Sequence, residues 1–330
     1  MNEKMWAIMV QLGNNQWYPL DEELIFDEDF WEYILKRCAE IGVNTILMDV
    51  GDGVYYTSHP EISVKNAWTR EKVLKEVKRC RGKGITLIPK LNFSTKHGMW
   101  LKRYHKMVST DIYYNVCKDI IREVFEMFDA PPYIHLGMDE EGYRTSKIKD
   151  DYVVYRKGKL LVNDLKFLID TVKSTGAKPW IWHDVLTENT DIYLETIAPE
   201  DALVSPWYYD AIKPEHFATL YPNEPDGSKN ELYQEGFRYV EEIYNRANFR
   251  EKIAPLISKG FKYVPTTSVW SKNKYNADEV REYFQKADPL GENIIGFMSA
   301  PWTEVTWKSK EEYDKTFLSI EKEMELFFRA

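Results

Sequence analysis

Apolar residues fall along the chain in two alternating rhythms. Short, nearly continuous apolar runs are followed by longer stretches in which apolar positions recur every three or four residues. The first kind reads as strands buried on both faces, the second as amphipathic helices. Strands are expected over 6–10, 44–49, 85–89, from 133 to a stop at Gly137, and over 178–182, 202–206, 261–265 and 293–298. Helices are expected over 30–41, 70–81, 111–128, 160–174, 239–258, 278–287 and 310–328. Gly42, Gly84, Gly176 and Gly260 each sit between a helix and the next strand, where the left-handed conformation ends a helix.

Eight such units in one chain predict a single (β/α)₈ TIM barrel spanning residues 1–330. A doubly wound sheet with a second domain is the alternative, but no shift in composition marks a linker. The stretches 142–157 and 221–237 are too long and polar for plain connections. They are expected either as rims or lids on the catalytic face or as solvated inserts.

Composition narrows the function. A net charge of −9 argues against nucleic acid and anionic membranes as main partners. No apolar run is long enough to span a bilayer. The first residues show no basic stretch followed by an apolar one, so the protein is expected in the cytoplasm unless a leader precedes this sequence. Cys38, Cys80 and Cys117 have no metal-ligand spacing and read as reduced structural cysteines. Eleven Trp and twenty-two Tyr fit either a large aromatic core or a sugar site, since pyranose faces stack on aromatic rings.

In a barrel the chemistry collects at the C-terminal ends of the strands. The second strand ends near Asp49 and Asp52, and the third leads to Asn92, Lys96, His97 and Trp100. The fourth carries His135 and ends in Asp139-Glu140-Glu141, the fifth in Trp182-His183-Asp184, and the sixth in Trp207-Tyr208-Tyr209-Asp210. The seventh leads to Trp270 and Tyr275, the eighth to Trp302 and Glu304. A buried strand ending in carboxylates is an expensive arrangement unless the acids are paired or used. Carboxylates ringed by Trp and Tyr suit glycoside hydrolysis. An Asp-Glu pair also suits the first turn of a helix, and His135 suits a hydrogen-bonded core histidine. His183-Asp184 lacks a third ligand at metal-site spacing, and no Gly-rich phosphate loop is present, so neither a metal nor a nucleotide cofactor is expected.

The run His135-Leu136-Gly137-Met138-Asp139-Glu140 resembles the His-x-Gly-Gly-Asp-Glu signature of family 20 glycoside hydrolases, the β-N-acetylhexosaminidases. Further likenesses follow in order: Asn44 to Asp52, Ile88 to His97, Trp182-His183-Asp184, Ser205-Pro206-Trp207 and Gly296 to Glu304. The resemblance implies a retaining glycosidase that uses the substrate's own 2-acetamido group as nucleophile. Glu140 would then be the acid and later the base, Asp139 the partner of the acetamido N–H, and Tyr275 the support of the acetamido oxygen. Trp182, Trp207 and Trp302 would wall the pocket, with Asp52, His97, His135, Asp184 and Glu304 as further substrate-binding residues. The expected partner is a carbohydrate, a β-linked amino sugar or glycan, with the oligomeric state left open and a dimer among the options.

The sequence departs from that family at Met138, which replaces a Gly of the signature, and at two further places. The family's Arg at the end of strand one is absent from Gln11 to Asn15, and the third-strand motif reads Asn92-Phe93-Ser94-Thr95-Lys96-His97. The competing readings are a barrel glycosidase of another mechanism, with Asp49, Asp184 or Asp210 as Glu140's partner, and a carbohydrate-binding barrel without turnover. An aldolase-like enzyme would want a strand-end Lys, for which Lys90 is the near candidate.

Overall fold

A computed structural model describes residues 4–16, 20–141, 156–186, 189–209, 246–270 and 273–329. The two long polar stretches, 142–157 and 221–237, fall almost wholly outside these. Eight parallel strands form one sheet in the order β6-β5-β4-β3-β2-β1-β8-β7. They are β1 Met5–Gln11, β2 Thr45–Asp49, β3 Thr86–Lys90, β4 Tyr133–His135, β5 Lys178–Trp182, β6 Leu203–Ser205, β7 Thr266–Ser268 and β8 Gly296–Ala300. The edges β6 and β7 meet through bridges at Val204↔Tyr263 and Trp207↔Thr266, which nearly closes the sheet into a (β/α)₈ barrel. The helices between the strands are α1 Glu28–Ile41, α2 Arg70–Arg81, α3 Asp111–Met127, α4 Gly158–Thr175, α5 Thr190–Thr196, α6 Arg246–Lys259, α7 Asn276–Ala287 and α8 Lys310–Arg329.

Most elements follow the apolar rhythm. Asp27 caps α1 by accepting from the N–H groups of Asp29 and Phe30, and Gly42 ends it at φ 86°. Side chains alternate across each strand, and two cores result. Ala7, Met9, Leu47, Ile88, Trp180, Trp182, Val264 and Met298 fill the barrel. Ile8, Val10, Ile46, Met48, Ile134 and Ile181 face the helices. Trp180 and Trp182 thus share the inner face, as strand alternation predicts.

Two strands lie further along the chain than expected. The ladder of β7 begins at Thr266, with Tyr263 of the expected 261–265 run making only isolated bridges. In β8 the register starts at Met5↔Gly296. A Cβ at Gly296 would stand 2.0 Å from the Met5 carbonyl oxygen, so that close approach requires glycine. The short α5 and a 3₁₀ segment at Met99–Met107 had no apolar rhythm strong enough to predict them.

One row of the barrel is polar. Gln11, Asp49, Lys90 and His135 stand side by side in register across β1 to β4, all buried. Lys90 is ion-paired with Asp49, which also accepts from Gln16 Nε2 at 2.8 Å. This row forms the floor beneath the C-terminal mouth.

Candidate active site

The site grows from the end of β4. Leu136 and Gly137 continue the strand, since Leu136 N–H donates to the Trp180 carbonyl and the Gly137 carbonyl accepts from Trp182 N–H. The chain then turns sharply, with Gly137, Met138 and Glu140 at φ 70°, 70° and 52°. Two non-glycine residues in the left-handed region signal a turn that its surroundings must hold. Asn92 is the main holder: its Oδ1 accepts from the N–H groups of Met138 and Ser94, both at 3.2 Å, and its Nδ2 donates to Asp139 Oδ1 at 2.7 Å.

The three consecutive carboxylates have three different environments. Asp139 is buried, and His97 Nε2 lies 3.3 Å from its Oδ2. Glu140 is half-buried; its Oε2 meets the same His97 nitrogen at 3.1 Å and is ion-paired with Lys96. Its N–H donates to Asp184 Oδ2 at 3.3 Å. Glu141 points away into a buried fork made by Arg156 Nε and Nη2, at 2.8 and 3.0 Å.

Charge is divided accordingly. Burial alone would raise Asp139, but the charge and hydrogen bond of His97, then Lys90 and Asn92, hold it well below the usual carboxylate range. Burial also works against ionised Glu140, and His97 and Lys96 more than offset it, so this carboxyl too is lowered. Burial pushes His97 down while Asp139 and Glu140 pull it up, to about 9. Asp184 is raised by burial and by the charges of Asp139 and Glu140, against the relief from His183. His135 is held well below its usual value by burial and by Lys90, so it is neutral. Its Nδ1 accepts the Gly137 N–H at 3.0 Å, which leaves the proton on Nε2.

Indoles form the wall. Trp182 and Trp302 have ring centroids 5.9 Å apart, and His135 lies 4.7 Å from Trp182. Trp207 stacks on Tyr209 at 4.8 Å, and Trp302 Nε1–H donates to the Tyr209 hydroxyl at 3.0 Å. Burial raises the Tyr209 hydroxyl well above its usual value, with the charges of Asp139, Asp184 and Glu140 adding to the effect.

The structure thus brings together Asp139, Glu140, His97, Asp184, His135, Trp182, Trp207 and Trp302. Glu304 is half-buried two residues beyond Trp302. Asp52, past the end of β2, is buried, accepting from Asn15 Nδ2 at 2.7 Å and facing Lys102 Nζ at 3.2 Å. Tyr275 sits at the N-terminus of α7 with the Lys274 ammonium 5.1 Å over its ring. Asp210 lies outside the described residues. Sequence reasoning gave no role to Lys96, Tyr209 or Arg156; Tyr209 carried a signal in its one-residue alternation with Trp207. His97, Asp139 and Glu140 hold donor atoms within 4.8 Å of one another. Lys96 is ion-paired with Glu140 at the edge of this group.

The chain belongs to glycosyl hydrolase family 20, whose catalytic-domain model matches residues 102–318. Solved structures of similar fold include the β-N-acetylhexosaminidase of Bacteroides fragilis NCTC 9343, at 14% identity and TM-score 0.58, covering 96% of this chain and 65% of that one. The GH20 exo β-N-acetylglucosaminidase of Vibrio harveyi in complex with N-acetylglucosamine is similar at 13% identity and TM-score 0.62, over 97% of this chain and 54% of that one. Dispersin B is similar at 15% identity and TM-score 0.60, over 97% and 98% of the two chains. The chain therefore spans less than two thirds of the first two structures and nearly all of the third. No curated protein matches it.

Proposed function

We propose that this barrel hydrolyses β-linked 2-acetamido-2-deoxy sugars with retention, using the substrate's acetamido oxygen as the nucleophile. The observation that carries the reading is that two adjacent acids, Asp139 and Glu140, share the Nε2 of one histidine, His97. Two-carboxylate glycosidases place their acids about 5 Å or more apart, across the bond. Sequence neighbours held by one histidine suit different chemistry, in which one acid serves the leaving group and the other a participating amide.

Glu140 is the more exposed of the pair and gives its proton to the glycosidic oxygen. As the bond from that oxygen to C1 breaks, the acetamido oxygen bonds to C1 and an oxazolinium ring forms. Asp139, kept ionised by His97 and Lys90, accepts the acetamido N–H and offsets the positive charge of the ring. Water then attacks C1 as the bond from C1 to the acetamido oxygen breaks and restores the acetamido group, with the Glu140 carboxylate taking the water's proton. Trp182, Trp207 and Trp302 enclose the acetamido group, and we assign the support of its oxygen to Tyr209 rather than Tyr275, because the Tyr209 hydroxyl already meets Trp302. The substrate is accordingly a carbohydrate carrying a β-linked N-acetylhexosamine.

The test is release of chromophore from aryl 2-acetamido-2-deoxy-β-glucoside and its galacto isomer by wild type and Glu140→Gln. A fall of about a hundredfold or more in the variant is expected. A folded protein that releases neither chromophore but binds an oxazoline-mimicking thiazoline has an intact acetamido site and a different sugar preference. One that does neither defeats the reading.

A further inference from the structure

The ammonium of Lys96 is the feature of the acid's surroundings that neither the fold nor the proposed chemistry requires. Glu140 Oε2 receives two cationic partners at once, His97 Nε2 and Lys96 Nζ, both from the loop after β3. His97 is shared with Asp139 and sits deep, with 4% of its side chain exposed. The Lys96 and Glu140 side chains are 18% and 21% exposed, so their contact lies at the water edge of the cluster, where a leaving group would depart. Lys96 is held by Glu140 itself, whereas the neighbouring Lys90 and Lys102 are held by Asp49 and Asp52.

We propose that Lys96 is a positioning residue of the acid: it holds the Glu140 carboxyl and receives the negative charge that forms there when the proton passes to the leaving oxygen. The inference rests on the function proposed above. In that step the C1–O electron pair stays on the glycosidic oxygen, that oxygen takes the Glu140 proton, and Glu140 becomes a carboxylate. A cation beside it is worth more after the transfer than before, which lowers the barrier in proportion to how much the leaving group needs a proton. The same cation narrows the pH range over which the proton is present. Among the described residues, the groups facing Glu140 include Lys96 and His97 after β3, Asp139 at its own strand end, Asp184 with His183 behind it after β5, and Tyr209 after β6. Asp139 and Asp184 favour protonation of Glu140; Lys96 and His97 oppose it.

The experiment compares wild type, Lys96→Met and Lys96→Arg on two substrates. A 2,4-dinitrophenyl 2-acetamido-2-deoxy-β-glucoside leaves almost unaided, whereas N,N′-diacetylchitobiose needs the acid. In Lys96→Met the alkaline limb of kcat/KM is expected to move up by about one pH unit. On its acidic plateau the disaccharide rate falls about tenfold and the dinitrophenyl rate stays within about twofold. Lys96→Arg keeps both close to wild type. An unmoved limb, or an equal loss on both substrates, overturns the proposal. A second measurement needs no turnover: the carboxyl titration of Glu140 by NMR in ¹³C-glutamate-labelled protein, assigned by its loss in Glu140→Gln. Its midpoint rises in Lys96→Met if Lys96 acts as proposed and stays put if it does not. Wild type that is inactive on both substrates and does not bind the thiazoline, with a midpoint that rises in Lys96→Met, would sink the proposed function and leave the Lys96–Glu140 coupling standing.

Discussion

Arg156 grips Glu141 through Nε and Nη2 at 2.8 and 3.0 Å, while its Nη1 reaches Asp164 at 3.0 Å and Nη2 also meets the Phe93 carbonyl at 2.8 Å. Glu141 in turn accepts the Thr95 N–H at 2.7 Å. The third carboxylate therefore ties the loop bearing Lys96 and His97 to the end of β4. Arg156→Met would strand two buried carboxylates, and such losses run to about 3–5 kcal/mol. Thermal unfolding should show a drop of several degrees, and activity should fall with it. An unchanged midpoint would mean that the fork carries no net stability.

Gly137 packs against Asn92 so closely that an added Cβ would lie 2.2 Å from Asn92 Oδ1 and 2.7 Å from its Cα. Gly137→Ala is expected to push Asn92 off Asp139 and Met138. The rate should fall about tenfold or more, beyond what the change in folding midpoint explains. Equal thiazoline affinity in variant and wild type would count against this, because Asp139 would then still be in place.

His97 sets a pH dependence whose sign follows from its neighbours. Burial lowers its pKa, Asp139 and Glu140 raise it further, and the net value is about 9 against an ordinary 6.5. A raised value in the folded state stabilises fully below pH 6.5, and that contribution is lost as pH rises through 9. The gap in unfolding midpoint between wild type and His97→Gln should be widest near pH 6 and shrink toward pH 9. A gap independent of pH would show that the ring acts by packing alone.

Glu323 on α8 also loses stability as pH rises, but because its burial is unfavourable to the charged form. Burial raises it to about 8, with Arg281 offsetting part and Asp278 adding to the rise. The residue is 1% exposed, and its carboxylate lies 3.5 Å from Arg281 Nε. The unfolded chain ionises near pH 4.5 and the folded one only near 8, so stability falls across that window. Glu323→Gln should raise the unfolding midpoint at pH 8 and leave it nearly unchanged at pH 4. Loss of stability at both pH values would assign Glu323 a structural ion pair instead.

Much of this site was legible because its residues sit where the periodic pattern stops. Asp139 and Glu140 follow an apolar run, Trp182 closes another, and His97 and Trp302 lie past the ends of β3 and β8. What was hidden depends on distance through space. Nothing in the sequence links Arg156 to Glu141, fifteen residues earlier, or sets Lys96 against Glu140 across two strands. Tyr275 drew attention by following strand seven, yet only the barrel's curvature shows Tyr209 meeting Trp302. Lys90 looked like a stray strand-end lysine; in register with Asp49 it is the buried half of an ion pair.

The join between β6 and β7 gives the barrel a clasp. Most neighbouring strands share ladders of several registered pairs, and β3 and β4 share the single pair Lys90↔His135; here Val204 and Trp207 reach across only by isolated bridges and a few backbone bonds, such as Val264 N–H to the Val204 carbonyl at 2.9 Å. Local opening favours the stretch with the fewest shared bonds. Breathing of the barrel would then start at the clasp, and amides of Val204 and Val264 would exchange with solvent before those of β1 and β2. Trp207 and Tyr209 hang on that clasp, whereas Asp139 and Glu140 are rooted two strands away. One side of the barrel mouth can thus loosen while the side that carries Asp139 and Glu140 opens later.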